Sequence, residues 1–111
     1  MIRKPVVKTA TIAASATTSD AIETRDYALA GLIMPATLTS STVTFTVCET
    51  AAGTYKALYD SDGNQVSIPV AASRAVGVCG TEADALAPFH WFRLVGGSTE
   101  VSARSISVLL K

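Results

Sequence analysis

Apolar and polar residues alternate with a two-residue period through much of the chain. From Thr42 to Cys48, Val43, Phe45 and Val47 fall on one side and Thr42, Thr44 and Thr46 on the other, the pattern of a half-buried β-strand. Thr54–Tyr59 follows a short Ala51-Ala52-Gly53 turn, with Tyr55, Ala57 and Tyr59 sharing a face, so the two segments read as an antiparallel hairpin. Asp60-Ser61-Asp62-Gly63-Asn64 is dense in turn formers, and Val66, Ile68 and Val70 alternate after it, which extends the hairpin into a meander. Upstream, Pro5–Ala14 places Val6, Lys8, Ala10 and Ile12 opposite Val7, Thr9 and Thr11. Tyr27–Met34 is nearly apolar on both faces, as an inner strand would be. Arg74–Cys79, Phe89–Val95 and Ser102–Leu110 are three further strands, and Thr81–Ala87 leaves room for about one helical turn. About eight strands at this spacing predict an all-β protein, an antiparallel β-sandwich or a barrel.

Composition agrees. Thr, Ser and Ala dominate, and β-branched Thr and Val favour pleated backbone over helix. Among 111 residues, 49% are hydrophobic and 16% charged, enough apolar surface for one folded domain. Nine Lys and Arg balance nine Asp and Glu, so there is no cationic surplus with which to displace counterions from nucleic acid. The uncharged Tyr27–Ala36 run contains Gly31 and Pro35 and falls well short of the roughly 20 residues that span a bilayer. No nucleic-acid or membrane partner is expected.

The residues that could carry chemistry are few. His90 is the sole histidine and sits among Phe89, Trp91 and Phe92, where it reads as a structural residue. No nucleophile elbow, phosphate loop or dinucleotide fingerprint precedes a helix. Cys48 and Cys79 form no CxxC pair, and they could join in a disulfide only if their strands meet; a cytoplasm with reduced thiols is the expected site of synthesis. Asp60, Asp62 and Asn64 have the one, three, five spacing of a calcium loop. Gly63 and Ala71, however, stand where that loop has other residues, and a tight turn explains the segment better. No catalysis, no cofactor, no metal and no small-molecule substrate are therefore expected.

Two features point to contacts with other proteins. Phe89–Val95 is bulky on both faces, with Phe89, Trp91 and Arg93 opposite His90, Phe92 and Leu94. Trp91 can lie under a covering loop, fill a protein contact, or stack on a sugar ring with Tyr55 or Tyr59. Residues 1–10 read as an extended arm ahead of a sandwich at 11–111. In that arm Ile2, Arg3, Lys4, Val6 and Val7 either fray or lie across a neighbouring subunit.

The succession Ala28-Leu29-Ala30-Gly31-Leu32-Ile33-Met34-Pro35-Ala36, Val43-Thr44-Phe45-Thr46-Val47 and Thr54–Asn64 resembles small structural proteins of the virions of tailed bacteriophages. Phe92-Arg93-Leu94 and the closing Ser105–Lys111 fit the same pattern, so the resemblance covers most of the chain from about residue 11. It implies a jelly-roll-like β-sandwich acting as a capsid cement or decoration protein. Such a protein binds the major capsid protein and itself as a dimer or trimer, and lies on the capsid exterior of the virion. A tail or neck component is the alternative within that resemblance, and a carbohydrate-binding module the alternative outside it. The resemblance assigns no functional residues.

Overall fold

The computed structural model describes residues 6–24, 27–78 and 80–111. Nine strands and one helix follow in the order β1 (Val6–Ile12), β2 (Ile22–Glu23), β3 (Leu29–Ile33), β4 (Thr42–Cys48), β5 (Lys56–Ala57), β6 (Ser67–Pro69), β7 (Ala75–Gly77), α1 (Thr81–Leu86), β8 (Trp91–Gly96) and β9 (Arg104–Leu110). They form two antiparallel sheets. The first has the order β1-β9-β3-β7, and the second β2-β8-β4-β5 with β6 also on β4.

The pairing is nested. β1 lies beside β9, β2 beside β8, β3 beside β7, and β4 beside β5 and β6. The chain thus behaves as one long hairpin rolled into two layers, which is the jelly-roll arrangement of a β-sandwich. Alternation decides which face is inside. Ala10, Ile12, Leu32, Ile106, Val108 and Leu110 of the first sheet meet Val43, Phe45, Val47, Phe92 and Leu94 of the second, all of them buried. Phe45 and Phe92 cross edge to face with ring centres 6.0 Å apart at the middle of this layer.

The meander expected after Thr54 is replaced by something tighter. β5 and β6 do not stand side by side. Both pair with β4, β5 at Thr46 and Val47 and β6 from Thr42 to Thr44, so they form one interrupted row. Between them residues 58–66 leave the sheet and return, closed by Tyr59 opposite Gln65 and by Val66 N donating to Leu58 O at 3.0 Å. The reason is local: Asp60 Oδ1 accepts from both Asp62 N and Asn64 N at 2.9 Å, a side-chain-capped turn too tight to carry the chain across to a new position. The ninth strand is β2, a short piece that the periodicity did not reveal. Val6–Ala10, grouped in the sequence with an arm, are the first residues of β1 and pair with β9 throughout.

Successive connections alternate between the two ends of the sandwich. The β1–β2, β3–β4, β6–β7 and β8–β9 loops gather at one end, here called the upper end. The β2–β3, β4–β5 and β7–β8 connections, the last containing α1, gather at the lower end.

Candidate interaction surface

At the upper end the loops converge on a single carboxylate. Glu100, in the β8–β9 loop, is fully buried, and its Oε1 accepts from Thr39 N and from Arg104 Nε, both at 2.9 Å. Its Oε2 accepts from Ser40 N at 2.9 Å and from the Ser40 hydroxyl at 2.7 Å. The Glu100 backbone ties in the β1–β2 loop as well: Glu100 N donates to Ala16 O at 3.0 Å, and Ser15 N donates to Glu100 O at 2.7 Å. One residue therefore fastens three of the four upper loops. Burial by itself pushes a carboxyl up, but the donors at Thr39 N, Arg104 and both groups of Ser40 outweigh it and hold Glu100 at about 2, against an ordinary 4.5. Gly96 makes room for this hub, because a Cβ there would run into the Ser40 hydroxyl. Among the described residues, the two non-glycine residues with left-handed backbone, Ser15 (φ 66°) and Ser73 (φ 58°), sit in upper loops. Each is pinned by its own N–H, Ser15 to Glu100 O and Ser73 to Pro35 O at 2.8 Å.

The inner stretches of these loops carry no exposed charge; the exposed Asp20 and Arg74 lie where the β1–β2 and β6–β7 loops rejoin their strands. Residues 13–18, 35–41, 70–73 and 97–103 are Ala, Ser, Thr, Gly, Val, Leu and Pro, with Glu100 the one charged side chain, hidden and paired. The outer face of the first sheet continues this property. One row across it reads Val7, Leu109, Gly31, Gly77 from β1 to β7, and the next reads Thr9, Ser107, Ile33, Ala75. Thr11 and Ser105 complete it toward the upper loops. Lys8 and Arg104 belong to the opposite face of the same strands; Lys8 Nζ donates to Glu23 O at 2.8 Å and Arg104 serves Glu100. Of the four large apolar side chains exposed among the described residues, Val7 (61%), Ile33 (46%) and Val101 (75%) lie in this uncharged region. Exposed apolar groups set in a surface without charges are the usual mark of a contact.

The lower end differs. Glu49, Lys56, Asp60, Asp62, Asp84 and Lys111 lie there or on its flank. A groove of about 510 Å³ opens between the β4–β5 hairpin and Phe89, floored by Val47 and Leu58 and edged by Cys48, Lys56 and Tyr59. Tyr59, 55% exposed, also borders a second hollow of about 420 Å³ lined by Asp60, Asp62 and Asp84. Asp60, Asp62 and Asn64, which have the calcium spacing, form the capped turn held by Asp60 Oδ1, and no group of three His, Cys, Asp or Glu able to hold a metal occurs among the described residues.

The interface candidates from the sequence are distributed over the molecule and do not form one patch. Ile2, Arg3 and Lys4 lie outside the described residues, as does Cys79; Cys48 is a free thiol. Val6 and Phe89 pack against the core. Val7 stands out from the first sheet, while Trp91 and Arg93 are half-buried on the outer face of the second. There Trp91 lies opposite Cys48 on one side and Glu23 on the other, and the Arg93 guanidinium sits 4.5 Å from the centre of the Tyr55 ring. Tyr55 comes from the β4–β5 connection, so a loop does cover part of β8, and its hydroxyl is held by Ala51 O at 3.1 Å. His90 is exposed, and its carbonyl accepts from Thr24 N at 2.9 Å. The hub at Glu100 escaped the sequence reading. Its signal was one acid alone in the uncharged run from Val95 to Ala103, with Arg104 four residues on.

Comparisons with protein-family models, with curated proteins and with solved structures each return no match.

Proposed function

We propose that this protein is a capsid cement or decoration protein of a tailed bacteriophage, which binds the major capsid protein and braces its lattice without catalysis or a cofactor. The observation that carries the reading is the set of upper loops locked around Glu100, whose residues 13–18, 35–41, 70–73 and 97–103 present no exposed charge. A protein that must sit on a repeated shell gains from loops already fixed before contact, because little conformational freedom remains to be lost on binding. Small Ala, Ser, Thr and Gly side chains approach a partner closely and bring no charge that must be stripped of water. Modest contacts of this kind add up when they repeat across a lattice. The resemblance of the strand and turn segments to small phage virion proteins supports the same reading.

The test is made on particles. Heads lacking this protein should lose resistance to heat or low salt and regain it when purified protein is added back. Depleted heads as robust as complete ones, with the protein sedimenting with tails, would replace the capsid reading by a tail or neck role.

One observation favours a second reading, a carbohydrate-binding module. Tyr59 is exposed between two hollows and flanked by Asp60, Asp62 and Asp84, the combination of a stacking ring with carboxylates that accept from sugar hydroxyls. Titration with host polysaccharide, followed by tyrosine and tryptophan fluorescence in the native chain and in Tyr59→Ala, separates the two.

A further inference from the structure

We infer that the outer face of the β1-β9-β3-β7 sheet is a self-association surface, on which a second copy of this chain packs face to face about a two-fold axis parallel to the strands. The proposal deepens the oligomeric part of the capsid reading by naming the surface, and it rests on the sandwich geometry and not on the shell. Its first support is charge. None of the strand residues in the rows of this face is charged, and the exposed charges nearest to it, Asp20 beside Thr11 and Lys111 after β9, lie at its borders, so a like face meets its centre without repulsion.

Its second support is shape. Along the row Val7, Leu109, Gly31, Gly77, side chains are large over β1 and β9 and absent over β3 and β7. A two-fold axis parallel to the strands sets β1 of one copy over β7 of the other. It thereby seats the Val7 and Leu109 side of each on the bare Gly31 and Gly77 side of its mate. The next row fits likewise, with Ile33, 46% exposed, brought over the short Ser107 of the second copy. Turning the axis across the strands would stack bulk on bulk and bare on bare. The face is its own complement in one orientation.

Size sets the strength. With strands about 4.8 Å apart, about 20 Å each of β1 and β9, about 17 Å of the five-residue β3 and about 10 Å of the three-residue β7 give about 320 Å² per copy. The total of about 640 Å² lies well below the roughly 1,200–2,000 Å² of stable specific complexes. The pair should therefore be weak when free and hold firmly only where other contacts crowd the copies together.

Sedimentation equilibrium of the full chain tests this directly. The expected result is a monomer–dimer equilibrium with a midpoint on the order of 0.1–1 mM, unaffected by salt because no charge enters the contact. Gly77→Val is the decisive variant. A Cβ at residue 77 meets nothing within 4 Å, so the monomer accommodates it, and valine suits a strand better than glycine. Association should weaken by about tenfold or more while the thermal midpoint holds or rises. Thr9→Lys should weaken it too, and Tyr59→Lys at the far end should leave it unchanged. A chain monomeric throughout this range, a dimer that survives Gly77→Val, or one that dissolves in salt overturns the proposal. Failure of the capsid reading registers separately, in the stability of the particles.

Discussion

The two ends of the sandwich solve the same problem in opposite ways. Each must close off a layer of buried side chains with loops. The upper end does so through one buried residue, Glu100: its carboxylate collects N–H and O–H donors from the β3–β4 loop and the Arg104 guanidinium at the start of β9, and its backbone holds the β1–β2 loop, leaving the loop tips uncharged. The lower end keeps its charges on the outside and leaves a groove between the β4–β5 hairpin and Phe89. Hiding a single charge and satisfying it fully permits a surface of small neutral residues without loss of order. Where the charges remain outside, the loops are held by local turns, and the space between them stays open.

The contrast can be broken most sharply at Glu100. Glu100→Ala leaves the half-buried Arg104 without its partner and strands the donors of Thr39 and Ser40, a change expected to cost about 3 kcal/mol. Chemical denaturation measures the loss. Hydrogen exchange should place it in residues 13–18, 35–41 and 97–103 and leave the lower end protected as before.

Acid provides a graded version of the same cut. Because folding lowers Glu100 from 4.5 to about 2, its stabilisation is complete above pH 4.5 and disappears as pH falls through about 2. The shift corresponds to about 3 kcal/mol of stability. Denaturation curves between pH 6 and pH 2 should reveal it, and Glu100→Gln should flatten that part of the profile. An unchanged profile in the variant would mean that other carboxyl groups govern acid unfolding.

The lower end has its own weak point, of smaller effect. Gly53 packs so closely on Cys48 that a Cβ would run into its Sγ and crowd the Thr50 hydroxyl. Gly53→Ala should turn the Cys48 and Thr50 side chains aside at a cost of about 1 kcal/mol. The Cys48 thiol should then react faster with a disulfide reagent, with no change in exchange at the upper loops.

Much of the fold was legible in the alternation of side chains, since a period of two assigns faces without reference to neighbours. Val43, Phe45 and Val47 pointed inward as expected, and Tyr27–Met34, apolar on both sides, did contain the inner strand β3. Pairing was less legible. Ser67–Pro69 alternates as any strand does, and nothing within it says that it continues the row of β5. β2 has two residues, too few for a period. The uncharged surface could not be read from the sequence because it is a property of assembly: Val7, Leu109, Gly31 and Gly77 are scattered along the chain and become one row only through the register of four strands. Trp91 drew attention through its size, whereas in the fold it is half-buried beside Cys48.

The nested pairing also bears on how the molecule is made. β9 lies between β1 and β3, so the first sheet has no centre until residues 104–110 have left the ribosome. Until then β1 and the apolar β3 wait with open edges, exposed to pairing with other nascent chains while residues 34–103 are made. Closure joins β1 to β9, the two described strands farthest apart in sequence, a slow step for loop-entropy reasons that sets how long the edge of β3 stays open.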